Sequence, residues 1–234
     1  MPDLPPPLPP ETRTVGQLIA ETIRAYGSHF WRALPLGIPL AVADQLSVRQ
    51  TGPVQMVVFW AMLPLFVAAY LLACRTILAA GPSRTAVAIA VLIWLPFPAL
   101  RYVYVLPALA WLAFIGLAVP AAMVERLGFR DALERGRRLG TADYGHALGS
   151  LAALVVVVGI ASNTLSALLH TQGDNGQRVA VFLSDLVLSP LLFLGGALLY
   201  VDQAARAVRS APDAALHSSV DADAAGRTDP QVES

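Results

Sequence analysis

Six apolar stretches alternate with short polar or proline-containing segments along this chain. They fall near residues 33–48, 54–73, 85–100, 102–124, 147–169 and 179–201. A helix crossing the hydrocarbon layer needs about 20 predominantly apolar residues. The stretches at 54–73, 102–124, 147–169 and 179–201 meet that length. Those at 33–48 and 85–100 are short and interrupted by Pro35, Pro39 and Asp44 in the first and by Pro96 and Pro98 in the second. Pro64 predicts a kink inside the second stretch, which neighbouring helices must accommodate. Gly81-Pro82 reads as a helix stop followed by a breaker. The expected fold is all-α: a polytopic integral membrane protein of about six transmembrane helices.

Two further segments carry a helical rather than a uniform apolar pattern. In residues 14–30, Val15, Leu18, Ile19, Thr22, Tyr26 and Phe30 mark one helical face, with Gln17, Glu21, Arg24 and Ser28 opposite. Thr14 and Gln17 have the spacing of a capping box. In residues 129–140, Phe129, Ala132, Leu133, Gly136, Leu139 and Gly140 follow the i, i+3, i+4, i+7 spacing. Both segments predict amphipathic helices lying at the membrane surface with the apolar side down. Trp31 then stands at the expected head-group level.

Outside these segments, residues 1–13 are proline-rich and residues 207–234 are rich in Ala, Ser, Asp and Pro. Both read as disordered tails, leaving residues 14–206 as a single membrane domain. A cleaved signal peptide is not expected, because the start has no basic region followed by a short apolar core.

Charge sets the orientation. Only 14% of residues are charged, the net charge is zero, and all sixteen basic residues are arginine. A nucleic-acid partner therefore has no electrostatic support. Alanine and arginine richness without lysine points to a GC-rich bacterial genome. With six spans, thirteen arginines fall on the side of the N-terminus, the central loop and the C-terminus, and Arg49, Arg101 and Arg178 fall on the other. The positive-inside rule then predicts N-in, C-in topology in a bacterial cytoplasmic membrane. The loop from Glu125 to Arg138 includes the interfacial basic residues Arg130, Arg135, Arg137 and Arg138. Its net charge is only +2, worth about 2 kcal/mol at an anionic surface. That is too little for a dedicated lipid-binding patch.

The candidate polar residues are few. Glu125 and Asp202 close the fourth and sixth spans, where pairing with Arg126, Arg206 or an arginine of the central helix would offset their cost. Asp44 sits late in the first apolar stretch, and Arg75 just past the second. Ser162, Asn163, Thr164 and Ser166 cluster in the fifth span, where hydrogen bonds between helices explain them. Gly145 and Gly149, like Gly136 and Gly140, form GxxxG; the first pair opens a span, where it would mark close helix approach. Cys74 is the single cysteine and reads as a buried structural thiol. The four histidines have no metal-ligand or catalytic spacing. No cofactor is implied.

The run Pro120-Ala121-Ala122-Met123-Val124-Glu125, the amphipathic Ala132-Leu133-Glu134-Arg135 helix and a glycine-containing return to the membrane follow one another. Phe30-Trp31-Arg32 precedes them, and Leu199-Tyr200-Val201-Asp202 with Arg206 ends the domain. Over residues 14–206 this pattern resembles the six-span membrane domain found with glycerophosphoryl diester phosphodiesterases, which also occurs alone. The family more often has a second arginine near position 204, where this chain has Ala204. The resemblance implies a six-helix membrane protein without phosphodiesterase activity, since the soluble catalytic domain is missing from this sequence.

The functional expectation is a non-catalytic accessory or assembly factor whose partners are membrane lipids or a membrane protein. One alternative is a small transporter or channel, which needs broken helices or a polar site at mid-membrane. Another is a membrane-embedded lipid enzyme in which Glu125 and Asp202 hold a metal ion together.

Overall fold

The computed structural model describes the backbone of residues 9–169 and 173–226, with side chains less completely covered near 166–177 and beyond 209. The described residues are all-helical. Among the described residues, four helical runs are long and apolar enough to cross a membrane: Arg84–Val103, Val105–Val124, Tyr144–Leu165 and Arg178–Arg209. A fifth arises if Gly52–Ala61 and Leu63–Leu78, bent by 52° at their junction, count as one span. Of the expected tails, 1–13 and 207–234, residues 1–8 and 227–234 lie outside the described residues, as does His170.

The N-terminal third is a chain of short helices. α1 (Val15–Ser28) begins with the capping box expected from Thr14 and Gln17. α2 (Phe30–Ala33), a 3-10 turn (Leu34–Gly37) and α3 (Ile38–Ser47) follow. Pro35 and Pro39 each occupy a first-turn position, where the missing N–H costs nothing. The prolines thus divide the 33–48 stretch rather than kink one helix. α4 (Gly52–Ala61) and α5 (Leu63–Leu78) meet at Met62, with Pro64 again in a first turn. α5 ends earlier than Gly81, at Ala79, which takes a left-handed conformation.

α6 (Arg84–Trp94) and α7 (Phe97–Val103) form one run broken at Pro96. The next break falls at Tyr104, whose backbone is extended, and not at Arg101, which lies within α7. α8 (Val105–Ile115) and α9 (Ala118–Val124) complete that span. α10 (Phe129–Ala142) precedes α11 (Tyr144–Leu169), α12 (Gly173–Leu188) and α13 (Pro190–Gly226). α13 continues past Arg206, where sequence alone sets the end of the membrane domain.

The two amphipathic helices turn their apolar faces to protein. On α1, Leu18, Thr22 and Tyr26 are buried, and Leu18 packs with Leu154 of α11 and Leu198 of α13. On α10, Ala132, Gly136, Leu139 and Gly140 are buried. A Cβ on Gly136 would stand 2.5 Å from the Ala118 backbone, and one on Gly140 would meet the backbone of Ala113 and Phe114. Glycine is therefore required there for α10 to lie against α8 and α9. Gly145 and Gly149, the other GxxxG pair, have open space where a Cβ would go. The close approach is made by the glycines of the loop helix, not by those that open the span. The polar faces of α1 and α10 remain exposed, together with Ile23 and Phe129.

The core centres on an aromatic cluster. Phe66 stacks on Phe59 and on Trp94, and Trp94 also meets Phe97 and Phe193. These rings bring α4, α5, α6, α7 and α13 together. A second layer of Leu117, Ala121, Leu139, Ala147, Leu199 and Tyr200 lies toward the end of the molecule that carries α10.

Candidate functional site: a central cavity between two polar ends

The end that carries α10 is tied together by charge. Arg13 Nη1 donates to Asp202 Oδ1 at 2.6 Å, with the Asp202 side chain fully buried. Arg206 donates to Asp143 Oδ2 at 2.8 Å and to the Arg13 carbonyl at 2.6 Å. Asp143 also caps α11 through the His146 N–H, and its carbonyl accepts from Gln203. Three distant parts of the chain, the start of α1, the start of α11 and the end of the last span, are thereby fastened together.

Glu125 belongs to this same end but to a different group. Its Oε1 accepts from Arg135 at 3.0 Å and from the Tyr200 hydroxyl at 2.9 Å. The central helix thus supplies its arginine, in line with one of the pairings expected. Asp202 differs: its hydrogen-bonded partner is Arg13, and Arg206, the arginine expected beside it, acts on it through charge. The two carboxylates take separate partners, and among the described residues no group of three or more His, Cys, Asp or Glu is placed to hold a metal ion. Arg130, Arg137 and Arg138 remain exposed on α10, Arg138 pairing with Glu134 one turn away.

Between the two ends lies a cavity of about 450 Å³, within the range of small-molecule sites. Its body is apolar. Leu109 and Leu112 of α8, Leu154 and Val158 of α11, and Phe193 of α13 face it, and Phe66, Tyr70 and Trp94 form the aromatic wall. Its floor is Leu117 and Leu199, members of the layer nearest the α10 end. Gly116 and Gly196 are part of the wall as well.

The opposite end of the cavity is charged. Asp44 of α3, Arg101 of α7 and Asp185 of α12 all line it, with Ser162 and Asn163 of α11 beside them. Arg101 Nη2 stands 3.9 Å from Asp44 Oδ1, and its guanidinium lies 4.3 Å over the Phe59 ring. Asp44 and Asp185 come within side-chain hydrogen-bonding reach of each other. Asp185 is 7% exposed, and its Oδ2 is buried with no hydrogen-bond partner. Trp94 Nε1, on the same wall, is also buried without a partner.

Asn163 donates to the Gly159 carbonyl of its own helix, and Ser184 donates to Ser162 across α12 and α11. Asp44 and Asn163, both singled out by sequence, are therefore brought to one site. Glu125, Asp202 and Arg206 are at the other end. Sequence reasoning missed Asp185, although it is the single charged residue between Val179 and Val201. An isolated acid in an apolar span is itself the signal that points to it. Compared with known protein families, curated proteins and solved structures, the chain matches none.

Proposed function

We propose that this chain is a multi-spanning membrane protein that holds one amphipathic, lipid-like molecule in its interior and acts through that contact. The observation that carries the reading is the cavity of about 450 Å³: an apolar body that reaches Leu117 and Leu199 at one end and the charged side chains of Asp44, Arg101 and Asp185 at the other. Water gains little in such a body, whereas an apolar chain is stabilised there by burial. A polar head would sit at the end lined by Asp44, Arg101 and Asp185.

A six-span topology with N-in, C-in orientation in a bacterial cytoplasmic membrane belongs to the same proposal. Arg13 and Asp202 are in contact, so the chain between them crosses an even number of times. Four crossings or six satisfy that rule and five do not; in the six-span path the segment from Val15 to Ser47 crosses in pieces. Contacts support this path: Leu18 lies by Leu198, Gly37 against the backbone of Leu186, and Gln45 donates to the Arg178 carbonyl. The family resemblance to the phosphodiesterase-associated membrane domain is proposed on the same architecture.

A transporter is the second reading, favoured by the helix breaks at Met62, Pro96 and Gly116–Leu117, close to the cavity. Broken helices at an interior site are the structural basis of many transporters. Native mass spectrometry of protein purified gently from its own membrane, without added lipid, tests the main reading. One retained amphipath per chain is expected, and its loss on Leu154→Trp, which fills the cavity body, would confirm the location. Protein that carries no small molecule would contradict the reading.

A further inference from the structure

Every lipid of a membrane offers an apolar chain, so the head group determines which amphipath the cavity selects. We propose that the ligand carries a cationic hydrogen-bond donor, a primary ammonium group, and that Asp185 and Asp44 receive it. This rests on the interior-site reading above and names the chemistry of its occupant.

The charged end has two carboxylates and one arginine. Arg101 is only loosely engaged with Asp44, at 3.9 Å, and is drawn over the Phe59 ring by a cation–π contact. One oxygen of Asp185 is left without a donor. Its Oδ2 is buried, unpartnered and part of the cavity wall. A buried acceptor without a donor is costly, and a buried carboxylate more so. The Asp44 carboxyl faces it within hydrogen-bonding reach, so two carboxyl groups share one end of the cavity with the single guanidinium of Arg101. A primary ammonium has three N–H donors and one positive charge. It would bridge both acids and balance the excess of negative charge.

A phosphate or carboxylate head group fits this end poorly. It would have to approach Arg101 past two acids, and like charges in a low-dielectric site repel strongly. The alternative internal solution is a single proton shared between Asp44 and Asp185, with no ligand amine at all.

The test uses the full chain, stripped of lipid by detergent exchange and read by native mass spectrometry. Three single-chain amphipaths of equal chain length are offered: an alkylammonium, an alkyl phosphate and an alkyl glycoside. The proposal expects a 1:1 adduct with the alkylammonium, favoured by about tenfold over the phosphate. Asp185→Asn, nearly isosteric, should remove that preference while leaving glycoside binding unchanged. Leu154→Trp should weaken all three alike. Phosphatidylethanolamine forming the same Asp185-dependent adduct would identify a membrane aminolipid as the source. Binding of alkylammonium without it would identify a free amphipathic amine.

Preference for the alkyl phosphate, equal retention of all three amphipaths, or a preference that survives Asp185→Asn would overturn the head-group assignment and leave the interior site standing. Retention of no amphipath would overturn both, and would favour the shared proton. Gel filtration of each variant as a single species, with thermal unfolding near that of the unmodified chain, shows that lost binding is not lost folding.

Discussion

The two polar ends of the molecule are built from the same residue types, aspartate and arginine, yet they are finished differently. At the α10 end, Arg13, Asp202, Arg206 and Asp143 are joined at 2.6–2.8 Å, and the ties span 63 to 193 residues of sequence. At the cavity end, Arg101 and Asp44 stand 3.9 Å apart, and Asp185 Oδ2 is buried without a hydrogen-bond partner. Asp202 Oδ2 at the α10 end is also buried without one, but of the two aspartates only Asp185 lines the cavity. Short pairs between distant parts of the chain hold helices together, and the Arg13–Asp202 pair is buried. Loose, incompletely satisfied groups beside an empty space are what a ligand site looks like before it is filled. The contrast separates charges that serve the fold from charges that are available to something else.

That contrast can be broken by mutation. The largest effect is expected from Asp202→Ala. It leaves Arg13 buried without its carboxylate, and breaking one half of a buried pair costs about 3–5 kcal/mol. Thermal unfolding in a mild detergent should show a large fall in midpoint, and an unchanged midpoint would remove the closed end from the account. Gly136→Val comes next. Its side chain would meet the Ala118 backbone, and overpacking of this kind costs about 1–3 kcal/mol. The α9–α10 contact should loosen, read as faster proteolysis of the loop between Glu125 and Asp143.

At the cavity end, Asp44→Asn should change stability by less than about 1 kcal/mol, as expected for a half-exposed, loose pair. A loss as large as that for Asp202→Ala would mean that the two ends are not different in kind. Gly145→Ala is expected to be the mildest change. There is open space at that position, and alanine favours the helix by about 0.5–1 kcal/mol, so the unfolding midpoint should stay or rise slightly.

Much of the fold is legible in the chain because proline and apolar runs act locally. Pro35, Pro39, Pro64 and Pro96 all mark real helix breaks, and Thr14 with Gln17 closes its capping box as expected. The Glu125–Arg135 pair is also local, ten residues apart. What sequence does not reveal is which distant surfaces meet. The apolar stripes of α1 and α10 have the same spacing whether they face lipid or protein. Only the position of Ala118 against Gly136 decides it. Arg13 and Asp202 are 189 residues apart, and no local rule pairs them.

The site was half legible for the same reason. Asp44 and Asn163 stand out as polar residues in apolar runs. Arg101 reads as the punctuation between two spans, because its role depends on α3 and α12 folding back beside α7. Asp185 obeys the rule that singles out intramembrane acids and is visible without any structure.

The most direct measurement is photo-crosslinking with an amphipath whose apolar chain carries a diazirine, followed by peptide mapping of α11. That helix has two faces of similar chemistry: Leu154 and Val158 line the cavity, whereas Val156, Val157 and Ile160 are exposed on the outside. The account predicts saturable labelling of Leu154 and Val158, competed by unlabelled amphipath and lost in Leu154→Trp at the second position. Labelling confined to Val156, Val157 and Ile160, without saturation, would contradict it and mean that lipid meets only the outer surface of the bundle.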